Sequence, residues 1–317
     1  MRENLNEFAF PLNLKSVSWQ SRIGFNWKHP VLLILTILTT MFAGANMQGY
    51  VSIWPGFAGI VAGLKFTIPL LFILGCHELG HYLVSRHYGV SASLPYFIPA
   101  PPFITFIGTF GAVISMRSRV PTRKALLEIG IAGPIASYLL SIAAIILGYA
   151  LIPNSAVAQQ HITQVHHLMG LDVHPDAGIQ LSMGTSILFW TLSKLFGQAV
   201  PMNEIYHFPL IFSGWIGLLV TTLNLIPAGQ LDGGHVLFAV AGKIHQKAGY
   251  MIIAVLLLMG LISLNWLVWG ILVLFIAQRP HPEVLFPGEP LGKRQLSLAW
   301  FGLFMLISTF IPIPFSI

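Results

Sequence analysis

Residues 68–90 read IPLLFILGCHELGHYLVSRHYGV, an apolar run that passes without a break into His77-Glu78-Leu79-Gly80-His81. A helix that is apolar on every side, as residues 68–76 require, is one that is buried or spans a membrane. An ionised carboxylate there is expensive unless it has a partner, so Glu78 is not a passive surface charge. On a helix, positions i and i+4 lie one turn apart on the same face. His77 and His81 therefore present two imidazoles to one metal ion, with Glu78 close enough to reach a water held there.

The rest of the chain agrees with that setting. Of its 317 residues 55% are hydrophobic and 8% charged, against about 25% charged in an average soluble domain. We expect an all-α polytopic membrane protein. The single cysteine, Cys76, excludes a disulfide framework and a cysteine-based zinc site. It directly precedes His77 and so points about 100° away from it. The net charge of +6 builds no basic stripe or tail, which argues against a nucleic-acid partner. The basic residues report topology instead. All but Lys65 and Lys194 of the 16 fall in segments that lie on one side if the N-terminus is cytoplasmic. The expected location is a multi-pass position in a membrane, the cell (inner) membrane if bacterial, with His77–His81 in the cytoplasmic third.

In order, residues 1–29 are polar and aromatic, an interfacial segment with no h-region and cleavage site, so no removable signal peptide is expected. A membrane-embedded core then covers 30–281, and a loop with a final helix covers 282–317. Spans are expected at 31–47, 57–86, 125–151, 209–227 and 297–313, with a helical hairpin at 246–263 and 265–278, giving six or seven transmembrane helices. Glu128 reads as a charge at a helix N-terminus. Between the second and third spans Pro95, Pro99, Pro101 and Pro102 forbid a helix, while β-branched and aromatic residues surround Gly108 and Gly111. Non-helical backbone is tolerated at membrane depth only beside protein or a cavity. Residues 103–116 therefore suggest a small re-entrant β-hairpin beside the active site.

Residues 153–208 form an external insert, with His161, His166, His167, His174, Asp172 and Asp176 in its first part. None of these shows i, i+4 spacing on an apolar helix, so a hydrated loop is favoured over a second metal site. Residues 187–196 suggest an interfacial helix. The span at 209–227 runs into NLIPAGQLDGGH, residues 224–235, where Gly229, Gly233 and Gly234 permit close backbone approach. Asp232 is there either a third ligand for the two histidines or a cap for a helix beginning near His235.

With these pieces assembled, the chain resembles the site-2 protease family of intramembrane zinc metalloproteases. The carriers are HELGH at 77–81, GPIAS at 133–137 and NLIPAGQLDGGH at 224–235, and the wording is most similar to the plant-chloroplast and cyanobacterial branch without PDZ-like or CBS-like parts. Gly229 stands where many members carry a second proline. The resemblance implies one catalytic Zn²⁺ on His77, His81 and Asp232, Glu78 as the general base, and Asn224 as a donor to the oxyanion or to substrate backbone. It implies a transmembrane protein as substrate and the lipid bilayer as surroundings. An edge strand near Gly108, Thr109, Phe110, Gly111 and Ala112 would bind the unwound substrate by strand addition. The alternative is a metal transporter or zinc-regulated membrane scaffold, although no repeated halves are visible. Oligomeric state is not legible.

Overall fold

The computed structural model describes residues 26–51, 56–101, 105–170, 182–197, 200–277 and 284–316. Most of residues 1–29, together with Asp172, His174 and Asp176, lie outside the described residues. The fold is mostly helical. Helices α1 (Lys28–Met47), α2 (Gly56–His87) and α3 (Arg123–Ala150) are each long and apolar enough to cross a membrane. At 1.5 Å per residue, the 20 residues of α1 cover about 30 Å, the thickness of a hydrocarbon core. Phe57, Ile68, Phe72 and Leu83 on α2 face outward, a surface suited to lipid rather than water.

The other helices are α4 (Ser155–Met169), α5 (Ile187–Phe196), α6 (Pro209–Leu225), α7 (Asp232–Ala241), α8 (His245–Met259), α9 (Leu264–Ala277) and α10 (Lys293–Thr309). Six or seven spans were expected, yet only three described helices meet the length requirement. The reason is clearest at α6. Its 17 residues are buried nearly throughout by α2, α3 and α10, and they fall just short of the length that the three long helices meet. It starts on Pro209, whose missing N–H costs nothing in a first turn.

Small residues hold these helices close. A Cβ on Gly214 would sit 2.7 Å from the Ser141 carbonyl of α3, and one on Gly44 of α1 would sit 2.8 Å from Phe66 Cβ of α2. Thr122 caps α3 by accepting the Ala125 N–H at 3.1 Å, and Asn154 caps α4 by accepting the Val157 N–H at 3.0 Å. Glu128, one turn into α3, is more than a helix-terminus charge. It is buried and accepts hydrogen bonds from Tyr88 at 2.9 Å and from Gln295 of α10 at 2.7 Å. Burial, with that bond to the Glu128 carboxylate, pushes the Tyr88 hydroxyl up to about 12, so it stays a neutral donor.

Strands β1 (Tyr96–Pro99) and β2 (Thr109–Val113) pair antiparallel, with Phe97 opposite Ala112 and Ile98 opposite Gly111. The first strand thus begins upstream of residue 103, inside the proline-rich stretch. Proline excludes helix but suits extended backbone, and Pro99 closes the strand at an irregularity opposite Thr109. Gly108, at φ 77°, turns the chain and rests on α1, where its carbonyl accepts the Thr39 hydroxyl at 2.7 Å. Three further short strands and one more complete two small sheets: β3 (Val120–Thr122) parallel to β5 (Val284–Phe286), and β4 (Ser182–Met183) antiparallel to β6 (Phe315–Ser316).

Candidate metal centre

His77 and His81 project from one face of α2 into the bundle, and both are buried. Asp232, the first residue of α7, reaches the same point from the other end of the sequence. The three ligand atoms form a triangle: His77 Nε2 to His81 Nε2 is 3.2 Å, and each lies 3.2 Å from Asp232 Oδ2. A tetrahedral ion with bonds of about 2.0 Å has ligand-to-ligand edges of about 3.3 Å. The trio therefore has the dimensions of a metal site.

The hydrogen bonds around it occupy the Nδ1 side of each ring. His81 Nδ1 donates to the Ile129 carbonyl at 2.7 Å. Thr221 Oγ1 donates to the Gly217 carbonyl, so Ser137 Oγ, 2.8 Å away, donates to Thr221 and accepts from His77 Nδ1 at 3.0 Å. With both rings neutral, as metal ligands are, the two Nε2 atoms present lone pairs, and Asp232 Oδ2, buried without a hydrogen bond, presents a third. Three lone pairs converging in an apolar bundle repel one another unless a cation lies between them. The donor set of two imidazoles and a carboxylate with a free approach suits zinc.

Asp232 does not cap its helix: Leu231 is the N-cap residue, and no side-chain cap bond is made there. The loop that delivers it is tight. Gly229 sits at φ 54°, and Gly234 packs so closely that a Cβ would fall 2.9 Å from the Ala228 carbonyl. On the facing side Gly133 of α3 lies flat against the His81 ring, where a Cβ would meet Cδ2 at 2.6 Å and Cε1 at 2.7 Å. Ser137 and Gly133, the two residues that orient the histidines, are positions whose role the sequence did not disclose. The GPIAS motif was the only signal.

Beside the triangle opens a cavity of about 900 Å³, lined by Glu78, Asn224, Gln230 and residues 112–119. Glu78 is buried and accepts a hydrogen bond from the Ile114 backbone. The Asn224 amide, in the last turn of α6, stands 3.3 Å from His77 Nε2. Of residues 108–112, Ala112 alone lines this cavity, and Gly108 is turned toward α1. The strand continues past β2, where Arg117 N–H donates to Ser91 and Ser93 N–H to Ser115 on the β1 side. The opposite edge of 112–116 carries no strand among the described residues and borders the cavity. Arg117 and Arg119 stand at its mouth.

The model of peptidase family M50 matches residues 65–266. The chain is 30% identical over 266 residues to the Arabidopsis thaliana protein named "Probable zinc metalloprotease EGY2, chloroplastic", covering 80% of this chain and 42% of that one. It is 30% identical over 264 residues to the EGY1 counterpart from the same plant, covering 80% and 43%. A rice (Oryza sativa subsp. indica) EGY2 is likewise 30% identical, covering 80% and 44%. The chain thus spans less than half the length of these relatives. No solved structure matches it.

Proposed function

The chain belongs to peptidase family M50, and on that premise we propose that it is an intramembrane zinc metalloprotease, hydrolysing peptide bonds within or near the transmembrane helices of other membrane proteins. The observation that carries this reading is the 3.2 Å triangle of His77, His81 and Asp232 with Glu78 on the adjoining cavity wall. His77, His81 and Asp232 would hold one Zn²⁺, and three protein ligands are the number that marks a catalytic rather than a structural zinc. When bound, the ion acts as a Lewis acid, bringing the pKa of water to about 7 and polarising the scissile carbonyl. Glu78 takes the proton of the attacking water and delivers it to the amine nitrogen as the C–N bond breaks. The Ile114 N–H keeps the Glu78 carboxylate aimed at that task. The Asn224 amide donates to the oxygen on which charge develops.

A helical substrate hides its peptide bonds, so a segment has to unwind first. The edge of 112–116 that no strand among the described residues covers supplies backbone partners that the segment loses, by strand addition. The shorter apolar helices α6, α8 and α9, together with α10, complete six or seven crossings around α1–α3, with the hairpin re-entering from the cavity side. Arg86, Arg117, Arg119, Arg123 and Lys124 put that side on the cytoplasmic face, in the cell (inner) membrane if the source is bacterial. Lipid and a transmembrane substrate are the partners. Family membership weighs against the transporter alternative.

The test is Glu78→Gln in the full chain, co-reconstituted with single-span reporter proteins. Zinc per chain should be unchanged, while fragment formation falls by about 10²–10⁴-fold, the range of general acid–base catalysis. Equal fragment yields from wild type and variant would refute the proposal.

A further inference from the structure

We infer that the chain binds a second divalent metal ion of the zinc class, between His166, Glu204 and His207, at the opposite end of α6 from the first centre. The two centres would be about 25 Å apart by helix rise. His166 lies in the last turn of α4, while Glu204 and His207 bracket the turn that feeds α6. Their ligand atoms lie within 4.8 Å of one another. Nothing in the proteolytic reading calls for this site.

The donor set is that of the first centre. Two imidazole Nε2 atoms face one carboxylate oxygen: His166 at 3.1 Å, in a hydrogen bond, and His207 at 3.3 Å from Glu204 Oε2, two of the three edges expected of a tetrahedral ion with bonds of about 2.0–2.1 Å. As His81 Nδ1 donates to Ile129, so His207 Nδ1 donates to the Met47 carbonyl, at 2.5 Å. His207 is fully buried, and its Nε2 stands outside hydrogen-bonding geometry toward Glu204. A neutral ring there points a lone pair at a carboxylate. A cation resolves the conflict.

The surroundings are pre-set for a ligand role. Asn203 donates to the other carboxylate oxygen, Glu204 Oε1, at 3.1 Å. The His207 backbone carbonyl accepts from Gln48, just past α1, at 2.8 Å and from His161 of α4 at 2.9 Å. An ion at this point would staple the external helix α4 to the ends of α1 and α6. A second reading, in which His207 is an imidazolium paired with Glu204, needs no metal.

Zinc alone distinguishes them. Purified full-length chain, stripped with chelator and titrated with Zn²⁺, should take up two ions per chain, the second weakened at least about tenfold in Glu204→Gln and in His166→Ala. His166 is partly exposed, which makes its variant the milder for folding. His81→Ala should retain one ion, and His81→Ala with His166→Ala none. Cobalt substituted for zinc should give a visible d–d band in His81→Ala that disappears in the double variant. A single ion in wild type, lost in His81→Ala and untouched by His166→Ala and Glu204→Gln, would overturn the inference and leave the first centre standing. A single ion that survives His81→Ala and is lost in His166→Ala would sink the first centre instead.

Discussion

The contact between Gly133 and the His81 ring sets up a sharp test of the candidate centre. In Gly133→Ala the new methyl would lie 2.6 Å from His81 Cδ2, where ordinary contact begins near 3.4 Å. Either the ring or α3 must yield by about 1 Å. The backbone of α3 is a poor candidate to move, because it already lies so close to α2 that a Cβ on Gly80 would fall 2.7 Å from the Ala132 carbonyl. The ring therefore moves out of its place in the triangle with Asp232 and His77. A misplacement of 1 Å costs about 10²-fold at a site that depends on geometry, or about 2.7 kcal/mol at 1.36 kcal/mol per decade. Overpacking adds a stability loss of about 1–3 kcal/mol, which leaves a folded bundle. Zinc affinity, measured by competition with a chromophoric chelator, should fall about a hundredfold, and cleavage of a reconstituted reporter should fall with it. Wild-type affinity together with wild-type cleavage in a folded Gly133→Ala variant would refute the claim that this glycine positions the ligand.

Two other substitutions probe the same machinery. Ser137→Ala removes the acceptor of His77 Nδ1 and should weaken zinc binding about 10–100-fold without loss of helix content by circular dichroism; unchanged affinity would mean that the ring is oriented by packing alone. Ala112→Pro introduces a residue without an N–H on the strand beside the cavity. It should abolish reporter cleavage with zinc content intact, and undiminished cleavage would remove the strand from substrate binding.

The primary cluster was legible because its signals are local. The i, i+4 spacing of His77 and His81 and the glycines around Asp232 announce themselves in the sequence, and the ordered motifs link them across the chain. Ser137 was not legible, since a serine on an apolar helix face looks the same whether it packs or accepts from an imidazole. The His166–Glu204–His207 group was illegible for another reason: its members come from two elements, with Glu204 and His207 three apart in a short turn rather than four apart on a helix. The histidines of the insert read as a hydrated loop, and Asp172, His174 and Asp176 lie outside the described residues. The first hairpin strand escaped because prolines that rule out helix conceal a strand equally well. Helix α6 reads as a span from its apolarity, and its 17 residues stand at the short end of the spanning range.

The two bonds that Glu128 accepts from outside its own helix bear on how far the working unit extends. Its partner Gln295 comes from α10, well beyond residue 266 where the family match stops. Farther along, the Thr222 hydroxyl of α6 donates to Thr309, again on α10, at 2.7 Å. A version shortened after residue 281 would leave Glu128 with Tyr88 alone and Thr222 with the Leu218 carbonyl of its own helix, and the lost Gln295 bond, made to a charged acceptor, is worth about 1.5–3 kcal/mol. The closing helix therefore braces, from behind, the two helices α3 and α6 that carry the cavity's own lining, and a working unit drawn at the edge of the family match would lack that brace.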